Sequence, residues 1–465
     1  MEDLGEKLIS CTSLRPNRTK IGIVSNNKNH HVAIIGGGYA GMAAAVTLAA
    51  ANVPVTVFES ARQLGGRARG VWHNNVQLDN GQHILLGCYH HTLQLIEQVG
   101  GNIEHDFLRL PLQLTLHNRF ELKAPHLPAP LHLLVGLLSA KGLSFGERLR
   151  AARFMLALRH INFTLLHDIS VFELLRMHGQ SDGLIRLLWE PLCISALNTP
   201  MHIASAQVLL NVLRDSLNGV RNDSDMLLPR IDFTALFPER AAEYVKQHRG
   251  TVLTACSVEA IIPNGDEIRL TTRQTLLSAA RTELFSHVIC ATSPISAARL
   301  FHTVPQLALI AEQIAAIPYQ PIYTVYLQYP EHVCLPHPML GLDRCFAQWL
   351  FDKGQIAGQR GLIAAVISAQ GKHQNLKHEL LAQKVAQELC EQLGIREAPV
   401  WHKVIAEKRA TFSCETNLLR PAHTTQIANV LLAGDYVAGE YPATLEGAVM
   451  SGMLCAKTIP ATFNH

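Results

Sequence analysis

His31-Val-Ala-Ile-Ile-Gly36-Gly-Gly38-Tyr-Ala-Gly41-Met-Ala-Ala-Ala is the stretch on which the fold turns. It opens as a short apolar strand, turns through glycines and runs into an alanine-rich helix. Gly36, Gly38 and Gly41 hold a G-x-G-x-x-G spacing. In that spacing the first glycine permits a tight turn and the second lets backbone approach a pyrophosphate. The third brings helix against strand, and the first helical turn, with Ala40 in it, meets the phosphate charge. A glycine pattern alone is weak. Here a second strand follows, Val53-Pro-Val-Thr-Val-Phe58, and ends on Glu59, 21 positions after Gly38. At that distance a carboxylate accepts hydrogen bonds from a ribose.

Working outward, Glu59 is followed by Gly65, Gly66 and Arg67. Two glycines and a guanidinium form a second phosphate cradle, which a nicotinamide dinucleotide does not need. The cofactor reading is therefore FAD. Three later segments return to the same unit. Gly250 to Ile262 alternates like one strand, with Val258 placed to pair main-chain groups with adenine. His287-Val-Ile-Cys-Ala291 and Asn429-Val-Leu-Leu-Ala-Gly434-Asp435 read as buried strands ending in small-residue turns. A helix follows from Thr444 and Leu445, and its N-terminus would offer a positive dipole to the flavin edge where reduction develops negative charge.

Taken together, these residues resemble the FAD-dependent amine oxidase and phytoene desaturase superfamily, from about His31 to the end of the chain. The resemblance implies that Glu59 binds the AMP ribose and Arg67 sits by the pyrophosphate. It implies that Asp435 meets the pyrophosphate–ribityl stretch, and that Gly81, Gln82 and His83 lie near the isoalloxazine. The expected architecture is α/β: a discontinuous Rossmann-like FAD domain over 31–95, 231–300 and 406–465, with an inserted α+β substrate domain over 96–230 and 301–405. Residues 1–30 are polar and of mixed charge, and read as a disordered extension.

Inside the insertion, Trp189-Glu190-Pro191-Leu to Asn198-Thr-Pro200, then Asn211-Val-Leu-Arg214-Asp215 and Leu227 to Pro238, together with Gly434-Asp-Tyr-Val to Leu445-Glu-Gly-Ala near the end, resemble the hydroxysqualene dehydroxylase branch. That likeness implies reductive loss of an allylic hydroxyl from a long apolar isoprenoid. Such chemistry needs a dry apolar chamber and one general acid. Glu190, His83 and Asp79 are the candidate acids, each with a plain structural use as well: a helix-starting Glu, a flavin-packing His, a turn-capping Asp. A carotenoid-type desaturase is the nearest alternative, with the same fold and opposite electron flow. A prenyl-lipid escort is the alternative of another class, and the intact glycines, Glu59 and Arg67 argue against it. An amine oxidase fits less well, because aromatic residues are only 6% of the chain.

Bulk properties fit this reading. The net charge of +3 over 465 residues implies no nucleic-acid partner. Ten cysteines stand singly, without a C-x-x-C pair or a metal-ligand spacing, so no metal is expected and a reducing, cytoplasmic compartment is. No apolar run reaches the ~18–20 residues that span a bilayer. Leu127 to Leu138 is apolar but broken by Pro and Gly; it reads as a peripheral membrane foot or a cavity wall, and equally as a buried core helix. Ser144-Phe-Gly-Glu147 reads as a capping box opening the next helix. No motif speaks for an electron donor.

Overall fold

Strands of four apolar residues, buried on both faces, demand helices above and below them. In the computed structural model, which describes residues 31–275 and 279–459, that demand is met by a five-stranded parallel sheet. Its strands are β1 (Val32–Ile35), β2 (Val55–Phe58), β3 (Thr251–Leu253), β4 (His287–Cys290) and β5 (Val430–Leu432), in spatial order β3-β2-β1-β4-β5. Every residue of β1 and β2 is buried. Pairing is in register, with Ile35 beside Phe58 on one side and Cys290 on the other. This is a Rossmann-like sheet assembled from distant parts of the chain. The expected extension over 1–30 lies outside the described residues.

Six helices position the site. They are α1 (Tyr39–Ala50), α2 (Leu131–Ser139), α3 (Phe145–His160), α4 (Glu190–Leu197), α5 (Ala206–Leu217) and α6 (Leu445–Thr458). α1 lies on the sheet with nearly all of its residues buried, which its alanines allow. α6 crosses it at Gly452, where an added Cβ would stand 2.0 Å from the Ala40 carbonyl oxygen. Helices can approach this closely only where one contributes no side chain. α3 begins at the expected capping box: Glu147 N–H donates to the Ser144 hydroxyl, and the Glu147 carboxylate accepts from Ser144 N–H.

The second half of the molecule is built on a seven-stranded mixed sheet running from Trp401–Phe412 through Tyr319–Gln328 to Phe120–Lys123. Its Trp401–Phe412 strand runs through 405/406, so a division of the chain there falls inside a strand. The alternating stretch over 250–262 also differs from its reading as one strand. It breaks after Leu253, and Ala255 takes φ +51°. β3 then pairs in parallel with β2, while Cys256–Asn264 turns into a separate antiparallel sheet. A period of two sets which side chains share a face but not which sheet the face belongs to.

Gly452→Val should force α6 off α1. We expect a loss of about 1–3 kcal/mol or more, read as a lowered midpoint in chemical denaturation, with Gly146→Ala, at a solvent-open glycine, nearly neutral.

Candidate functional site: a dinucleotide cradle opening into an apolar chamber

The N-terminus of α1 has Gly38 as its cap residue, no side-chain cap bond and no acid in its first turn. Its free N–H groups and positive dipole end are left for something else. Across from it stand Gly65 and Gly66, at φ +108° and +62°, and Gly65 N–H donates to the Gly37 carbonyl at 2.9 Å. The glycines do different work. A Cβ on Gly36 would lie 2.6 Å from the Ala291 carbonyl oxygen, and one on Gly41 would lie 1.9 Å from that of Gly36. Those two are glycine because the protein packs on itself there. A Cβ on Gly38 would meet nothing closer than the Gly66 Cα at 3.9 Å. The chain's own packing does not require glycine at 38; a group seated in the cradle does.

Glu59, at the end of β2, is buried. One carboxylate oxygen accepts from Gly37 N–H at 2.7 Å and the other from Ala61 N–H at 2.7 Å. Both oxygens are thereby aimed, and each keeps acceptor capacity for a hydroxyl. Arg67 pairs with Asp435 at 2.5 Å and donates to the Ala410 carbonyl at 2.6 Å. Gly434 precedes Asp435 at φ +153°, where an added Cβ would strike the Tyr436 ring at 2.6 Å. Thr444 caps α6 by accepting from Gly447 N–H at 3.1 Å. Behind it, buried Glu446 accepts from the N–H groups of His91 and Thr92 at 3.0 and 2.9 Å.

These groups surround one continuous cavity of about 660 Å³. Of the expected cofactor residues, Gly36, Gly38, Ala40, Glu59, Gly66, Arg67, Gly81, Gln82, His83, Val258, Gly434, Asp435, Thr444 and Leu445 line it. Gly41 does not, and supports the turn from beneath. The residues fit FAD: two opposed glycine turns, a fixed guanidinium and an aimed carboxylate are what a pyrophosphate between two nucleoside-like ends requires.

Beyond the cradle the cavity becomes an apolar chamber. Its floor is the seven-stranded sheet, through Ile322, Trp349, Phe351 and Val366. Its roof is helical, through Leu133 and Leu137 of α2, Met155 of α3, Leu192 of α4 and Leu213 of α5. The Trp189-Glu-Pro segment enters this roof through a π-helical turn, Ile185–Trp189, which runs into α4 and its Pro191. Proline has no N–H to give the preceding turn, and a π turn absorbs that mismatch. Trp189 is buried edge-on to Phe154 and donates to Gln180 at 3.0 Å.

The three candidate acids separate. Asp79 is buried and absent from the cavity lining. Its carboxylate accepts from Phe233 N–H at 3.0 Å, and its carbonyl accepts from the Tyr326 hydroxyl at 3.0 Å. Burial pushes its carboxyl up to about 6, against the attraction of Lys353. It anchors a turn. Glu190 begins α4 and also lies outside the lining; burial raises its carboxyl, with the charges of His202 and Asp343 as its neighbours. A helix start places its first side chain by the helix's own phase, which local sequence does not reveal. Only His83 faces the cavity. Its ring lies 4.8 Å from that of Phe233, its Nδ1 is 3.0 Å from the Gly81 carbonyl, and burial pushes it down to about 4. It is neutral at pH 7 and holds no proton to give as a cation.

Asp215 on α5 and Tyr441 also line the cavity. Asn211, Arg214 and Asp215 stand at i, i+3 and i+4, one face of a helix, and that spacing was a usable signal. Among the described residues no three His, Cys, Asp or Glu side chains are grouped to hold a metal ion, and no helix is long and apolar enough to cross a membrane.

Comparison with known proteins agrees with this geometry. The family model for flavin containing amine oxidoreductase matches residues 39–460. Hydroxysqualene dehydroxylase of Rhodopseudomonas palustris is 27% identical, over 92% of this chain and 98% of its own. That of Zymomonas mobilis is 27% identical, over 91% and 97%. Zeta-carotene desaturase of Synechocystis is 23% identical, over 92% and 97%. Among solved structures, cyclohexylamine oxidase from Brevibacterium oxydans superposes with a TM-score of 0.65 at 17% identity, covering 92% of this chain and 98% of that one.

Because Gly38 has room within the protein and Gly41 has none, their variants should part. Gly38→Val should fold, by circular dichroism, yet purify without flavin absorbance. Gly41→Val should fail to fold.

Proposed function

The chain belongs to the flavin containing amine oxidoreductase family and takes FAD as its cofactor, and from that premise we propose that it is a reductive dehydroxylase of a long isoprenoid alcohol, hydroxysqualene. The observation that carries this reading is the join between the cradle and an apolar chamber, in a chain whose relatives at 26–27% identity are hydroxysqualene dehydroxylases. When bound and reduced, FAD supplies a hydride donor. The protein's own part is positional. The N-terminal end of α6 presents its N–H groups and positive dipole to the cavity through Thr444 and Leu445. The chamber walls exclude bulk water from the allylic cation that would remain once the hydroxyl is protonated and leaves as water. His83, neutral, packs beside the ring site without adding a positive charge that would oppose that cation. Desaturation is the second reading, favoured by the zeta-carotene desaturases, which are less similar at 22–24%.

We further propose that the protein works at the cytoplasmic face of a membrane, on which α2 rests. α2 has two apolar faces. Leu133 and Leu137 line the chamber, while Leu131, Val135 and Leu138 are 52%, 40% and 40% exposed. Phe145, at the start of α3, is 71% exposed. Apolar side chains at this exposure are stabilised by a lipid surface, and an isoprenoid dissolved in that lipid would then have one helix to pass.

Two measurements test these readings. Anaerobically, hydroxysqualene should reoxidise the reduced enzyme, and deuteride carried on flavin N5 should appear at the carbon that lost its hydroxyl. Bleaching of the oxidised enzyme by squalene or phytoene, with a new double bond in the product, would favour desaturation instead. Co-sedimentation with phosphatidylglycerol vesicles should fall about tenfold or more when Leu131, Val135 and Leu138 are all changed to Ser, with turnover of detergent-dispersed substrate retained. Unchanged sedimentation removes α2 as the contact.

A further inference from the structure

A hydrocarbon and the alcohol it came from differ by one hydroxyl, so a chamber that tells them apart needs a polar anchor in an apolar wall. Most polar side chains on the wall are already engaged. The Asn198 amide nitrogen donates to Thr411 at 2.9 Å and to the Pro321 carbonyl at 3.3 Å, and its oxygen accepts from Ala369 N–H at 2.7 Å. The Ser216 hydroxyl donates to the Val212 carbonyl at 2.6 Å. Ser195 accepts from the Trp349 indole at 2.8 Å.

The Ser216 oxygen also stays free to accept, but that hydroxyl is held only by its own helix, whereas Tyr441 is held by a carboxylate from another element. The Tyr441 hydroxyl donates to the Asp215 carboxylate at 2.7 Å, which fixes where the phenol proton points and leaves the oxygen as an acceptor on the chamber wall. Asp215 is gripped in turn by Arg214, at 2.7 and 3.2 Å. Arg214 also pairs with Glu440 at 2.8 Å, and Asn211 donates to the Glu440 carbonyl at 3.0 Å. This strap ties α5, which walls the chamber, to the segment leading into α6, which faces the cofactor cradle. Tyr441 packs on the first turn of α6: a Cβ on Gly447 would touch the Tyr441 Cβ at 3.3 Å. Burial and the neighbouring Asp215 carboxylate both raise the phenol's pKa, so it keeps its proton at neutral pH.

We propose that the Tyr441 phenol, oriented by Asp215, receives the hydroxyl of the isoprenoid alcohol and makes the chamber prefer alcohol over hydrocarbon, an inference that rests on the dehydroxylation reading. The alcohol O–H donates to the Tyr441 oxygen, and a buried hydroxyl without such a partner is costly. After dehydroxylation the hydrocarbon has nothing to offer Tyr441, so the product is held less tightly than the substrate. Asp215 acts through Tyr441 and is a positioning residue.

The test is binding of hydroxysqualene and of squalene to the oxidised holoenzyme, followed by the shift in flavin absorbance, together with KM and kcat for turnover. Wild type should bind the alcohol more tightly than the hydrocarbon. Tyr441→Phe should weaken alcohol binding about tenfold and raise KM in step, with squalene binding and flavin content unchanged. Asp215→Asn keeps the side-chain shape and should move the preference in the same direction. A wild type without preference, or both variants with the preference intact, overturns the proposal, as does its loss in Ser195→Ala alone. A wild type that prefers the alcohol but is not reoxidised by it overturns the dehydroxylation reading and leaves the anchor standing.

Discussion

The guanidinium of Arg67 lies between the Asp435 carboxylate and the Ala410 carbonyl, and the rest of the site is arranged around that contact. It joins residues 368 positions apart. Asp435 follows β5, the last strand of the sheet in chain order, and Arg67 lies in the turn after β2. A cation left near the cradle without a fixed partner would be mobile and solvated. Held by Asp435, it has one position, and a phosphate group arriving beside it finds a preformed charge rather than one that must be ordered. The same contact explains why a domain cut into pieces along the chain remains one site.

A second constraint is glycine against backbone. At Gly36, Gly41 and Gly452 the atom that an added Cβ would strike is a main-chain carbonyl oxygen, which cannot rotate away. Strand, helix and crossing helix are therefore locked at distances that only glycine permits. From that rigid frame the cradle opens toward the chamber, and its shape passes to the substrate side through α6 and through the Arg214–Asp215–Tyr441 strap.

The chamber's walls show why function could be read further than catalysis. Its apolar character is a property of many residues and survives errors about any one of them. A general acid is a single side chain, and its direction is decided by packing. Asp79 and His83 stand four positions apart on the same segment, yet one is buried under Phe233 and Tyr326 and the other faces the cavity. Glu190 sits beside Trp189 in sequence, and only Trp189 reaches the chamber. The apolar stretch over 127–138 reads as a membrane foot, a cavity wall or a buried core helix; in three dimensions α2 carries an inner apolar face and an outer one.

By itself the sequence determined the nucleotide fold, because glycine spacing, a strand-ending acid and a following Gly-Gly-Arg are local requirements of local backbone geometry. It also determined the capping box at Ser144, which involves only neighbours in the chain. Tertiary structure decided what depends on residues far apart. It split the 250–262 stretch between two sheets, turned Asp79 and Glu190 away from the cavity, and brought Asp215 to Tyr441 across 226 positions. Spacing encodes which side chains share a face of a helix or strand, but what that face meets is set by the packing of the whole chain.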